Sequence, residues 1–235
     1  EKQTVASVLE GGECHDLFIQ WLDRLADFMN SLTTTDGTKV PVLFRPWHEH
    51  TGSWFWWGQN LCSTDQYKAL WKLTYDHLNA KGVNNLLYAY SPGTENGGDA
   101  AKYMERYPGD EIVDLLGLDC YCYVEPEVTD RYERFTAQLQ SQLPMIVNLG
   151  KEHKKAVALT ETGYEGIPLA DWWTTILQPA IGDNAISYVL TWRNAYDRDT
   201  HYFGPFPGQL SADDFVKFYE SPKTLFLKDV KNLYK

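Results

Sequence analysis

Residues 40–58 read VPVLFRPWHEHTGSWFWWG, a short apolar run followed directly by charged and aromatic side chains. The apolar part, residues 40–44, predicts a strand that is buried on both faces. The polar part therefore lies at the carboxyl end of a strand. In parallel α/β folds, active sites are built at that end of the sheet. The chain thus offers His48 and Glu49 as candidate functional residues.

Four further apolar runs alternate with segments of helical period. The five predicted strands are residues 40–44, 86–90, 115–118, 156–160 and 186–192. The clearest helical stripe has apolar side chains at three- and four-residue steps, namely Leu17, Phe18, Trp21, Leu22, Leu25, Phe28, Met29 and Leu32. A second helix is predicted to begin at a capping box of Ser63 and Gln66 and to end at Gly82. Buried strands alternating with helices predict an α/β class with a parallel sheet.

The strands recur about every 36 residues, which is the spacing of a (β/α)8 TIM barrel. A doubly wound sheet has a similar spacing, so both architectures stay open on this ground. The length of 235 residues is typical of one domain.

Composition excludes several classes of protein. Asp and Glu number 32 against 21 Lys and Arg, and the net charge of -11 is the wrong sign for a nucleic-acid partner. The longest apolar runs are far shorter than the roughly 20 residues of a membrane-spanning segment. Four cysteines are too few for a disulfide scaffold. Cys14 and Cys62 are the only plausible pair, and free thiols are the favoured alternative.

Each residue of the segment after the first strand also has a purely structural interpretation. Trp56 and Trp57 could be core, His50 a surface residue, and Arg45 with Glu49 a structural ion pair. Four tryptophans beside a glutamate at a strand end are nevertheless unusual for packing alone. Flat indole faces suit the apolar faces of sugars, so the segment points to a carbohydrate.

A second carboxylate, Glu161, ends another predicted buried strand, where an unpaired charge is costly. Its structural alternative is an ion pair with Arg193. It lies three strands further along than Glu49, with two strands between them, which would place the two carboxylates across the mouth of a barrel. Glycoside hydrolysis needs such a pair, one to protonate the leaving oxygen and one to attack the anomeric carbon or activate water.

Two more strand ends are predicted to point into the same space. Asp119 and Tyr121 share one face of their strand, and Trp192 and Arg193 follow the last strand. The remaining histidines show no metal-ligand spacing, and His48-Glu49-His50 is not the zinc motif H-E-x-x-H. No cofactor and no metal are predicted.

Taken together, these blocks resemble glycoside hydrolase family 26, a family of retaining (β/α)8 glycosidases best known for endo-β-1,4-mannanases. The matching blocks are RPWHEHTGSWFWWG at 45–58, Asp119-Cys120-Tyr121, Thr160-Glu161-Thr162-Gly163 and Thr191-Trp192-Arg193. The resemblance implies that Glu49 is the general acid/base after strand four and Glu161 the nucleophile after strand seven. Retention by double displacement would need the two carboxyl groups about 5 to 5.5 Å apart.

The resemblance also implies roles for the neighbouring residues. His48 and Tyr121 would support the carboxylates, Trp54 would line the aglycone side, and Trp192 would form the floor under the attacked sugar. Asp119 and Arg193 would bind substrate or position the carboxylates. One sequence difference from the family makes the substrate prediction less specific. The common family form has Met-Asn-Gly after the acid/base, and this chain has His50-Thr51-Gly52.

The expected substrate is a polysaccharide with β-1,4-mannosidic bonds: mannan, glucomannan or galactomannan. A lichenase or xylanase on the same scaffold is the alternative enzyme, and a non-catalytic carbohydrate-binding protein is the alternative from another class. An exported protein, periplasmic, cell-surface or extracellular, is expected from the family.

Counting strands makes residues 1–235 the C-terminal part of a single catalytic barrel domain. The five predicted strands correspond to strands 4 to 8. Only 39 residues precede Val40, which is too few for three further βα units. We expect those N-terminal units to be supplied by the same or another chain, since five strands alone would leave open edges.

Overall fold

The structure is a computed structural model that describes residues 3–231. Within that range there are five strands: β1 Val42–Phe44, β2 Leu86–Tyr90, β3 Leu115–Tyr121, β4 Ala156–Gly163 and β5 Val189–Thr191. The helices are α1 Thr4–Val8, α2 His15–Ser31, α3 Thr64–Ala80, α4 Ala100–Met104, α5 Arg131–His153, α6 Gln178–Ile181, α7 Ala212–Glu220 and α8 Leu227–Val230. A 3-10 turn covers Thr94–Asn96, and a π-helical turn at Trp173–Leu177 leads into α6.

All four strand pairings are parallel, and the strands lie in chain order from β1 to β5. A helix lies between each strand and the next. The α/β prediction is therefore confirmed, and the sheet is a curled half-barrel consistent with part of a (β/α)8 fold. All carboxyl ends of the strands meet at one rim.

Two strands extend further than predicted, and one begins later. β3 continues to Tyr121 and β4 to Gly163, past the predicted ends at 118 and 160. Asp119 and Glu161 therefore lie inside paired strands, which fixes their directions. β1 begins only at Val42, because Pro41 has no N–H to donate to the sheet.

The helix-facing side of the sheet carries the main core. Its largest fully buried side chains include Trp71, Trp172, Trp173, Tyr67, Tyr90 and Tyr103. The capping box at the start of α3 forms as predicted, with Gln66 N donating to Ser63 Oγ at 3.1 Å and Ser63 N to Gln66 Oε1 at 2.9 Å. All four cysteines are free, so Cys14 and Cys62 do not pair.

The predicted apolar stripe of α2 is buried on one face only. Phe18, Leu22, Ala26 and Met29 are buried against the neighbouring elements. Leu17, Trp21 and Phe28, which the stripe also included, are about half exposed. The helix therefore presents a second apolar face that the described residues cover only in part.

The inner, concave face of the sheet is also partly open. Leu43 of β1 and Leu87 of β2 are register partners, and they are 40% and 52% exposed. Towards β3 and β4 the same face closes over small buried residues, Ala89 and Ala158, with Leu115 between them. Among residues 3–231 no helix is long and apolar enough to cross a membrane.

Candidate active site

The segment after β1 is held at the rim by hydrogen bonds to its backbone. Trp47 and Glu49 both adopt left-handed backbone angles, with φ of 54° and 51°. Such angles are strained for residues with a side chain and persist only where the surroundings enforce them. Tyr67 donates to Trp47 O at 2.7 Å, and Glu49 N donates to Ser91 O beyond β2 at 2.8 Å. Glu49 thereby faces the cleft above the sheet.

Glu161 reaches the same cleft through a β-bulge. Leu118 pairs with Leu159, but the next pair is Asp119 with Glu161, so Thr160 is an extra residue in β4. Simple alternation would turn Glu161 towards the helices, because Leu159 is in the core beneath them. The bulge reverses this and places Glu161 beside Asp119, which accepts a hydrogen bond from Thr160 Oγ1 at 2.7 Å.

Arg45 ties these carboxylates together. Its Nη1 donates to Asp119 Oδ2 at 2.7 Å and to Ser91 Oγ at 2.9 Å, and its Nη2 forms an ion pair with Glu161 Oε1. Tyr121 donates to the other oxygen, Glu161 Oε2, at 2.5 Å. Both oxygens of Glu161 therefore have donors, one from Tyr121 on the adjacent strand β3 and one from Arg45, which follows β1. Burial raises the pKa of Asp119, and the guanidinium opposes that rise.

The two ion pairs that the sequence suggested, Arg45 with Glu49 and Arg193 with Glu161, do not form. The guanidinium of Arg45 contacts Asp119 and Glu161, where the sequence suggested Glu49. Arg193, the suggested partner of Glu161, is exposed and lies outside the cleft lining. Sequence reasoning missed the bridging role of Arg45 because strand order, not sequence spacing, brings these residues together.

Glu49 is in a different environment. Burial raises the pKa of its carboxyl group above the ordinary value, and the charge of Glu161 adds to the rise. Trp54 partly offsets this effect, since its Nε1 donates to Glu49 Oε2 at 2.9 Å. The indole of Trp54 is otherwise 59% exposed, so it contacts the carboxylate and also presents apolar surface to the cleft.

The two histidines that flank Glu49 are both kept neutral. Burial, reinforced by the nearby charge of Arg45, lowers the pKa of His48 to about 4. His50 is 1% exposed, so the interpretation of it as a surface residue is wrong. Its ring packs on Tyr67 and Tyr90, with centroids 4.5 and 5.1 Å away. Burial lowers its pKa to about 3, and neither ring nitrogen has a hydrogen-bond partner among residues 3–231.

A cleft of about 520 Å³ opens over these side chains. Seven of the eight sequence-predicted site residues line it: His48, Glu49, Trp54, Asp119, Tyr121, Glu161 and Trp192. Trp56 and Trp57 pack against the core instead. Unforeseen lining residues include Glu95, Glu125, Gln138, Glu165, His201 and Phe203. Glu165 follows Glu161 by four residues at the same strand end and could have been foreseen, whereas His201 and Phe203 come from a long loop without a pattern.

The arrangement suits acid–base and nucleophilic chemistry. One carboxyl group has a raised pKa and can hold a proton, and the other carboxylate is oriented by a guanidinium and a phenol. Pairs of titratable groups in contrasting environments are typical of general acid and nucleophile assignments. In the part of the chain that the structure describes, no three His, Cys, Asp or Glu side chains are grouped to hold a metal ion.

Comparison with known proteins places these features in context. The family model described as glycosyl hydrolase family 26 matches residues 1–168. A mannan endo-1,4-beta-mannosidase of Bifidobacterium adolescentis is 34% identical over 234 residues, covering 94% of this chain and 23% of that protein. Endoglucanase H of Acetivibrio thermocellus is 30% identical over 84 residues, 34% of this chain and 9% of that protein.

Solved structures give a similar result. A GH26 beta-mannanase from Bacteroides ovatus has a TM-score of 0.94 and 54% identity, covering 100% of this chain and 66% of that one. GH26C from a Muricauda species has a TM-score of 0.89 and 34% identity, covering 100% of this chain and 63% of that one. The chain therefore spans under two thirds of the second structure and about a quarter of the Bifidobacterium relative.

Proposed function

The chain belongs to glycosyl hydrolase family 26, and from that membership we propose that it carries the catalytic carboxylates of a retaining β-mannanase. The observation that carries the proposal is the contrast between Glu49 and Glu161 in one cleft. Burial raises the pKa of Glu49, which suits a general acid. Glu161 is oriented at both oxygens by Arg45 and Tyr121, which suits a nucleophile.

The proposed reaction is a double displacement. Glu49 gives its proton to the glycosidic oxygen as the bond from that oxygen to the anomeric carbon breaks, and Glu161 bonds to that carbon. Water then gives a proton to Glu49 and displaces Glu161 from the anomeric carbon, which regenerates both groups. Donors already pointing at Glu161 need no reorganisation as its charge changes, which favours both steps.

The remaining residues have supporting roles in this proposal. His48, neutral above pH 4 by its lowered pKa, would bind sugar hydroxyls beside Glu49. Trp54 would both contact the acid and line the aglycone side, and Trp192 would support the attacked sugar. Asp119 holds Arg45 in place. Arg193, which is exposed and follows Trp192, would contact only a sugar further along the bound polysaccharide.

The proposed substrates are mannan, glucomannan and galactomannan, which fits the names of the curated relatives. A lichenase or xylanase on this scaffold is the second candidate, and the partial match to an endoglucanase favours testing β-glucan beside mannan. A non-catalytic carbohydrate-binding protein would need the aromatic residues but not the paired carboxylates. We also propose that the protein is exported, because polysaccharides of this kind are met outside the cytoplasm.

The rest of the barrel is part of the same proposal. Leu43 and Leu87 are exposed on the inner face of the sheet, and Leu17, Trp21 and Phe28 are exposed on α2. A neighbouring βα unit would cover the exposed apolar surface on both the sheet and α2. Three N-terminal units, in the same or another chain, would close the barrel, with residues 1–235 as one part of a single catalytic domain.

The test is release of reducing sugar from a panel of mannan, galactomannan, β-glucan and xylan. We expect the protein to act fastest on a mannan and Glu161→Ala to be inactive. Equal rates for the two proteins would contradict the assignment of the nucleophile. Faster hydrolysis of β-glucan or xylan would contradict the assignment of mannan as substrate and support the lichenase or xylanase alternative. Binding to mannan without hydrolysis would favour the carbohydrate-binding alternative.

A further inference from the structure

Glu165 and His201 form a polar pair on the cleft wall that has no part in the reaction proposed above. His201 Nδ1 lies 2.7 Å from Glu165 Oε1, and both residues line the cleft. Each side chain keeps some exposure, so a molecule in the cleft can reach them. They come from different segments, the end of β4 and the loop after β5.

The loop that delivers His201 is fixed by its own hydrogen bonds. Asn194 Oδ1 accepts from the backbone of Phe203 at 3.0 Å and of Gly204 at 2.8 Å. Ala195 N donates to His201 O at 2.8 Å. His201 is therefore presented to the cleft by a closed loop, and binding there needs little further ordering of the chain.

The pair lies on the side of Glu161 that faces away from Glu49. Glu49 follows β1 at one edge of the sheet, whereas Glu165 and His201 follow β4 and β5 at the other. The Phe203 ring separates His201 from Tyr121, with centroid distances of 5.2 and 5.6 Å. Since the leaving sugar lies beside the acid, the sugars that stay on the nucleophile extend towards this pair.

The chemistry of the pair favours a ligand that donates two hydrogen bonds. When His201 Nδ1 donates to the carboxylate, its Nε2 carries a lone pair and accepts. Neither His201 Nε2 nor Glu165 Oε2 has a hydrogen-bond partner within residues 3–231. Two neighbouring acceptors match the vicinal hydroxyl groups of a sugar, which are neutral and donate.

We propose that Glu165 and His201 bind a vicinal diol of a glycone sugar beyond the one attacked at Glu161. The inference rests on the proposed hydrolase function and adds a specificity site to it. Phe203 forms the apolar wall beside that sugar. Gly163, with a φ of 155°, lets Phe203 approach, because an added Cβ would lie 2.5 Å from its ring.

The test compares β-1,4-manno-oligosaccharides of increasing length as substrates of the full protein. His201→Phe removes the acceptor and keeps a ring against Phe203, and Glu165→Gln keeps the shape and removes the charge. His153→Phe is the matched control, because His153 Nδ1 pairs with Asp110 at 2.9 Å outside the cleft. Thermal unfolding checks that each variant is folded, and Glu165→Gln alone suffices if His201→Phe is unstable.

We expect kcat/KM of both cleft variants to fall about tenfold to a hundredfold on substrates long enough to reach the pair, mainly through KM. The shortest substrate that the wild-type protein cleaves should lose nothing, and the control should match wild type throughout. An equal loss at every length, or no loss at any, would overturn the proposal. A wild-type protein that cleaves no manno-oligosaccharide would instead contradict the mannanase function itself, and with it the assignment of this site to a mannan chain.

Discussion

His50 should make the protein sensitive to mild acid. The folded state holds its imidazole neutral, with a pKa of about 3, between the rings of Tyr67 and Tyr90. In the unfolded chain the same group has its ordinary pKa near 6.5. Below pH 6.5 the unfolded state therefore binds more protons than the folded state, and stability falls as the pH falls.

The size of this effect follows from the two pKa values. Each pH unit below about 6.5 costs the folded state about 1.4 kcal/mol until the pH approaches 3. At pH 5 the loss through His50 is about 2 kcal/mol, and at pH 7 it is close to zero. His50→Met, the residue common in the family at this position, removes this loss and leaves an apolar side chain in an apolar cage.

Urea unfolding at pH 7 and pH 5 measures the difference. We expect the stability of His50→Met relative to wild type to increase by about 2 kcal/mol between the two pH values. His15→Met, which removes an imidazole whose Nδ1 contacts the backbone oxygen of Val8 at 3.0 Å, controls for the loss of an imidazole as such. A difference between His50→Met and wild type that is the same at both pH values would refute the reasoning.

Three further predictions concern the cleft. Tyr121→Phe should lower kcat about tenfold to a hundredfold without unfolding the protein, because Glu161 loses one charge-assisted hydrogen bond; steady-state kinetics and thermal unfolding check this. Trp54→Phe removes the hydrogen bond that lowers the pKa of Glu49, so the alkaline limb of the kcat profile should move to higher pH. Arg45→Leu leaves two buried carboxylates without their guanidinium and should cost about 3–5 kcal/mol in urea unfolding.

Strand positions were predictable because they depend on local pattern. Apolar runs separated by helical stripes predicted all five strands, and the strand ends predicted which polar residues would share a rim. Seven of the eight proposed site residues line one cleft for that reason. The exception, Arg193, follows Trp192 directly, and adjacent residues point in different directions at a strand end.

Features that depend on register and loop closure were not predictable. Alternation alone would have turned Glu161 to the helices, and only the extra residue at Thr160 returns it to the cleft. The neutral state of His50 depends on two tyrosines from α3 and β2 that surround it. The position of His201 depends on the hydrogen bonds of Asn194 within its own loop. A hydrophobic periodicity in the sequence does not predict such bonds.

The burial of α2 shows a different limit. The eight-residue stripe predicted one buried face, but only part of it is covered by the described elements. Leu17, Trp21 and Phe28 remain about half exposed in the structure of residues 3–231. A hydrophobic pattern predicts that a face needs a partner and not which segment provides it.

Trapping of the glycosyl-enzyme tests the central claim most directly. Glu49→Ala removes the acid/base, so Glu161 should still attack the anomeric carbon of an aryl β-mannoside or mannobioside whose good leaving group departs without a proton, but water should hydrolyse the glycosyl-enzyme slowly. Peptide mass spectrometry after rapid quenching should then find the peptide that contains Glu161 heavier by one glycosyl unit. No adduct, or an adduct on another residue, would contradict the claim that Glu161 is the nucleophile of a retaining glycosidase.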